Sequence, residues 1–207
     1  MNREDFPLLK NDIIYLDNSA TSLKPQCVID KMNDYYTNYS ANAHRGDYDL
    51  SFRVDQEYEN ARELVREFIN AEDIEEIIFT NGATEGLNMI VNGFFANLLE
   101  EGDEVLITTS EHASNVLPWF RLVKKLGIKV NYIPLDSYHY VTIENVRKAI
   151  TSKTKVISLA GITNVIGDKR PIKEIAKLAH ENNIFMVVDG AQMVPHEKVD
   201  VRDLDID

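Results

Sequence analysis

The sequence predicts an α/β fold, a mostly parallel sheet with helices on both faces. Three observations predict it. From about Glu76 onward, short apolar runs alternate with helical stretches, and few residues separate them. Such β-α-β alternation returns each strand parallel to the last. The runs are apolar almost throughout, as in strands covered on both faces.

The elements follow in order. Ile77 to Thr80 reads as a short strand, and Thr84 to Leu99 as a helix with Leu87, Ile90, Val91, Phe94 and Leu98 on one face. Glu101-Gly102-Asp103 is a turn before a strand at Val105 to Thr108. A helix is expected from Pro118 to Leu126, ended by Gly127, then a strand from Val130 to Leu135. Ile143 to Ile150 reads as a helix and Val156 to Ala160 as a strand. Pro171 opens a helix that runs to about Glu181, and Ile184 to Val188 is the last strand. Residues 1–75 differ, as an N-terminal arm with helices, against 76–207 as the sheet-bearing part. The arm holds a short strand at Ile13 to Leu16 and helices at about Pro25 to Tyr39 and Ser51 to Ile69. Val54, Tyr58, Ala61, Val65 and Phe68 recur at helical spacing and predict a packing face.

Composition narrows the classes. The chain has 207 residues, 44% of them apolar, enough for a sizeable core. A net charge of −12 argues against nucleic acid and against anionic membrane surfaces, which call for basic patches. Solubility is the plain reading of that acidity, and a basic protein partner is the other. No apolar stretch approaches a membrane span, and residues 1–5 lack the apolar run of a signal peptide. One cysteine excludes an internal disulfide framework and suits a reducing cytoplasm. Cys27 itself reads as a small buried apolar residue near the start of a helix.

Candidate chemistry collects in four loops that follow predicted strands. Thr80-Asn81-Gly82-Ala83-Thr84-Glu85-Gly86 joins a strand to a helix and could cradle a phosphate on free N–H groups; Thr84 as an ordinary N-cap is the alternative. Glu111-His112-Ala113-Ser114-Asn115 carries a histidine able to stack on a planar cofactor or move protons, or simply to be solvated. Thr163-Asn164-Val165-Ile166-Gly167 offers an amide, or only an Asn-containing turn. Asp189-Gly190-Ala191-Gln192 delivers an acid and an amide where open α/β sheets bind ligands. An acid there suits a ring nitrogen that must stay protonated, as in pyridoxal phosphate. One planar phosphorylated cofactor across that edge would use all four loops. No histidine has the spacing of a metal site.

Several long motifs in order resemble one family. They are Tyr15 to Ser22, Ala43-His44-Arg45-Gly46, Thr80 to Asn88, Glu111 to Trp119, Thr163 to Gly167 and Val188 to Val201. The chain resembles the class V aminotransferases among fold-type I pyridoxal-phosphate enzymes, and within them the sulfur-mobilising (SufS-like) cysteine desulfurases and selenocysteine lyases. The resemblance implies the large domain of that fold and pyridoxal 5'-phosphate as cofactor. It implies that Ala83 and Thr84 bind phosphate, that His112 stacks on the ring and assists proton transfer, and that Asn164 holds the cofactor near its phenolic oxygen or the substrate. Asp189 would pair with the ring nitrogen, Gln192 would bond the phenolic oxygen, and His44 would lie near the substrate. The implied reaction takes sulfur from L-cysteine to give L-alanine and an enzyme persulfide for a sulfur-acceptor protein and iron–sulfur cluster assembly. A homodimer is implied for the complete enzyme. Ala113 stands where the family often has a second histidine, and Asp47-Tyr48-Asp49 where histidine is common, which bears on substrate preference.

The family's aldehyde-binding lysine follows a Ser-x-His, and none of the 13 lysines here does; its nucleophilic cysteine lies in a C-terminal small domain. The chain is therefore expected to be an N-terminal portion, incomplete at the C-terminus and inactive alone. It would hold five of the family's seven strands, with the strand at Ile77 too far from that at Ile184 to pair. Other class V activities (selenocysteine lyase, epimerase, transaminase) and a non-catalytic remnant that binds a partner are the alternatives.

Overall fold

The computed structural model describes residues 2–207. The chain forms two compact units, Met1–Val65 and Arg66–Asp207. The first holds α1 (Gln26–Asp34), which continues into a wider π turn at Tyr35–Tyr39, and most of α2 (Asp49–Ile69). Lys31 pairs with Glu57 and Arg53 with Asp34, so opposite charges join the two helices. The Arg53 guanidinium also lies 3.7 Å from the centre of the Tyr39 ring, a cation–π contact.

The second unit contains α3 (Ala83–Met89), β1 (Glu104–Ile107), α4 (Ala113–Leu126), β2 (Lys129–Tyr132), α5 (Ile143–Ala149), β3 (Thr154–Ala160), α6 (Ile172–His180), β4 (Phe185–Asp189) and α7 (Val201–Leu204). The four strands are parallel in the order β2-β1-β3-β4. Helices do cover both faces. Leu106, Ile157, Leu159 and Met186 point into a core with Val146 of α5 and Ile175 and Leu178 of α6. Their strand neighbours Val105, Ile107, Val156 and Val187 point the other way, against Leu87 of α3 and Trp119 and Leu122 of α4. That two-residue alternation is the strand's own geometry, and burial on both sides is why the runs are apolar throughout.

Six expectations are corrected. Ile77 to Thr80 is not among the strands of the sheet; Ile77 is buried while Ile78 is 66% exposed. Ile13 to Leu16 is likewise irregular and exposed. The helix expected from Pro118 starts five residues sooner, at Ala113. The His112 side chain caps it there, and Pro118 lies buried inside the helix. Val130 to Leu135 pairs only as far as Tyr132. The face of α2 from Val54 to Phe68 is not buried either: Ser51 is that helix's one buried residue and Phe68 is 62% exposed. Cys27 is exposed too, on a first turn that no other element covers.

Candidate active site

The turn into α3 depends on Gly82. Its φ of 111° lies in the left-handed half of backbone space, where a side chain is strained. Thr80 Oγ1 donates to the Gly82 carbonyl at 3.0 Å, which also accepts from the N–H groups of Glu85 and Gly86. Glu85 reaches back to accept from the backbone and side-chain N–H groups of Asn81 at 2.5 and 2.8 Å. No side chain caps α3. The reading of Thr84 as an ordinary N-cap therefore fails, because Thr84 sits inside the first turn. The N–H groups of Ala83 and Thr84 belong to that turn, where a helix offers donors without intrahelical acceptors.

The next loop meets this one. Thr84 Oγ1 and Ser114 Oγ are 2.7 Å apart, and Ser114 Oγ is 3.0 Å from His112 Nδ1. Ser114 N–H donates to the same Nδ1 at 3.2 Å. Since Nδ1 accepts a backbone proton, the neutral ring carries its own proton on Nε2. The histidine is thus both the cap of α4 and a neighbour of the phosphate-loop candidate.

Beneath these loops lies a buried polar cluster. Neither Glu111 nor Arg170 has exposed side-chain surface, and the two form an ion pair. Glu111 Oε1 also accepts from Thr108 Oγ1 at 2.7 Å, while Oε2 accepts from Ala160 N–H at 2.7 Å and Asn115 Nδ2 at 2.9 Å. Ser158 Oγ donates to Asn115 Oδ1 at 2.6 Å. Arg170 Nε is 3.7 Å from Asp168 Oδ2. Burial pushes the Asp168 carboxyl above the ordinary carboxylate range, and the guanidinium beside it works in the opposite direction.

The loops after β3 and β4 are tied together in turn. Gly161 N–H donates to the Asp189 carbonyl at 3.0 Å, and a Cβ on Gly161 would lie 2.2 Å from Met193 Sδ. Only glycine allows that approach. Asn164 stands exposed in the turn from Thr163 to Gly167, closed by Gly167 N–H on the Thr163 carbonyl at 3.2 Å. Asp189 ends β4, only 6% exposed, and its Oδ1 accepts the Ala191 N–H at 3.0 Å. Among the described residues no basic side chain forms an ion pair with it. Gln192 follows in the next turn, its carbonyl bonded by His196 Nδ1 at 2.6 Å.

The loops of His112, Asn164 and Asp189 follow β1, β3 and β4 at the C-terminal ends of parallel strands, and residues 14–207 match the family described as aminotransferase class-V. The chain belongs to that family. It is 43% identical to a probable cysteine desulfurase of Halalkalibacterium halodurans over 98% of this chain and 51% of that one. It is 42% identical to a probable cysteine desulfurase of Borreliella burgdorferi over 99% of this chain and 50% of the relative. Among solved structures, a cysteine desulfurase of Thermococcus onnurineus superposes with a TM-score of 0.93 at 38% identity, covering 99% of this chain and 50% of its own. The chain spans about half the length of these relatives.

This class V chain thus brings Thr84 and His112 together through Ser114, and joins the His112 loop to β3 through Glu111. His44 belongs to the first unit. There its backbone is left-handed, its N–H donates to Asp55 Oδ1 at 2.5 Å, and its ring lies edge-on to Tyr58. Ser114, Glu111, Asn115 and Arg170 received no role from the sequence. The first three sit inside the motif around His112, which could have marked them. Arg170 gave no such signal, because its partner Glu111 is 59 positions away.

Proposed function

We propose that this chain forms the cofactor-binding half of a pyridoxal-phosphate-dependent cysteine desulfurase. One observation carries the cofactor reading, the buried Asp189 carboxylate with no cationic partner at the end of β4. A buried carboxylate is costly unless a cation or donors satisfy it, and a protonated ring nitrogen is such a partner. The donor set of the neighbouring loops suits the rest of that cofactor. Ala83 and Thr84 would hold its phosphate, Gln192 and Asn164 its phenolic oxygen, and His112 the face of its ring. When bound, pyridoxal phosphate supplies an electron-withdrawing ring that stabilises negative charge on a substrate carbon.

The residues of this chain would then divide the work. Asp189 keeps the ring-nitrogen proton in place, since an ionised acid favours the cation. His112, with Nδ1 held by Ser114, presents Nε2 as the nitrogen free to exchange a proton. His44 would sit near the substrate. L-cysteine as substrate, L-alanine and an enzyme persulfide as products, delivery to a sulfur-acceptor protein for iron–sulfur clusters, a homodimer and a cytoplasmic setting all belong to this proposal. The relatives' name, cysteine desulfurase, supports it.

The experiment is alanine formation from L-cysteine by the longer enzyme that contains this chain, with Asp189→Asn beside it. The neutral amide should lower turnover by several orders of magnitude while folding is kept, each tenfold being about 1.4 kcal/mol of barrier. Wild-type alanine production by the variant would sink the role given to Asp189.

A further inference from the structure

We infer that Arg170 is a positioning residue which, through Glu111, holds the His112 imidazole in one orientation and one tautomer. Its catalytic consequence rests on the reading of His112 as the residue that faces the cofactor. The geometry stands without that reading. Arg170 donates from one terminal nitrogen to Thr108 Oγ1 at 2.9 Å and Ser110 Oγ at 2.8 Å. From the other it donates to Glu111 Oε1 and to the Ala160 carbonyl at 3.3 Å. Three of these four acceptors come from the residues 108–111 that lead directly into His112.

Glu111 completes the clamp on the other side. Its second oxygen accepts from Asn115, one turn into α4, and from Ala160 N–H at the end of β3. His112 is therefore held between a fixed residue before it and a fixed residue after it. With the backbone pinned, the ring meets Ser114 N–H through Nδ1, and only the Nε2–H tautomer satisfies that bond. The fork of a guanidinium is what allows four acceptors in a plane; an ammonium is a point charge and cannot reproduce it. A buried ion pair is weak evidence of stabilisation, since apolar residues of similar volume often serve as well. What this pair does supply is a single loop geometry.

The test uses this chain, with histidine-ring nitrogen NMR and pyridoxal phosphate titration. The variants are Arg170→Lys, which keeps the charge, and Arg170→Met combined with Glu111→Gln, which removes both charges. Wild type should show His112 as a single Nε2–H tautomer. Both variants should show exchange between tautomers and bind pyridoxal phosphate about tenfold more weakly. Thr151→Ala is the structural control. It removes a part-buried hydrogen bond, 2.6 Å to Glu104, at the opposite end of the strands, and should leave the His112 signal unchanged. A tautomer mixture in wild type, or folded variants that keep the single tautomer, would overturn the inference. If the variants lose the tautomer while even wild type fails to bind pyridoxal phosphate, the positioning role stands and the cofactor reading falls.

Discussion

Thr84 and Ser114 share a hydroxyl–hydroxyl hydrogen bond of 2.7 Å between the first turns of α3 and α4. Ser114 also touches His112 Nδ1 with both its Oγ and its N–H. One small side chain therefore links the loop proposed for phosphate to the histidine proposed for the ring.

Ser114→Ala removes the hydroxyl and leaves the backbone N–H. The expected cost is about 1 kcal/mol of stability, the usual net worth of one such hydrogen bond. Pyridoxal phosphate should bind more weakly while the His112 tautomer persists. Denaturant midpoints of Ser114→Ala, Thr84→Val and the double variant check the coupling. Strictly additive losses would show that the two hydroxyls do not cooperate.

Pyridoxal phosphate should bind the 207-residue polypeptide without covalent attachment. None of its lysines follows the Ser-x-His that marks the aldehyde-binding lysine in the family it resembles. Borohydride reduction followed by peptide mass mapping checks this. Cofactor fixed at one specific lysine would contradict it.

His180 gives a pH dependence with a definite sign. Its ring contacts Asp207 and Asp205, each at 3.0 Å. The hydrogen bond to Asp207 raises its pKa most, the one to Asp205 adds to the rise, and burial opposes both. A histidine raised in the folded state stabilises fully below its ordinary value and loses that contribution as pH rises through the folded value. Stability should therefore fall as pH rises from the ordinary histidine range through the raised folded value. His180→Gln should flatten that part of the curve in urea unfolding; an unchanged slope would remove His180 as its source.

The polypeptide of 207 residues should associate in solution. β2 and β4 each have a strand neighbour on one side only among the described residues, and on β4 Asp207 bonds the N–H and carbonyl of Met186, so β2 is the barer edge. Ile78, Phe79 and Phe94 add exposed apolar surface in the same unit. Burial returns about 25 cal/mol per Å², and a domain's net stability is on the order of 5–15 kcal/mol, so such exposure matters. Sedimentation velocity at micromolar concentration should show oligomers or aggregate. A monodisperse monomer with a sharp cooperative melt would refute this.

The sequence by itself determined the four paired strands, the helices on both faces, and the placing of His112, Asn164, Asp189 and Gln192 at or after the ends of strands. Those features are local, since an apolar run such as Val156 to Ala160 or a left-handed glycine such as Gly82 acts within a few residues. Tertiary structure decided the rest. Ile77 to Thr80 has the composition of a strand, yet it is not among the strands of the sheet. α4 begins upstream of Pro118, where the His112 side chain supplies the cap, and the proline lies buried inside it. The ion pair of Glu111 with Arg170 joins residues 59 positions apart, and no periodicity encodes a contact that only the closing of the sheet brings into reach.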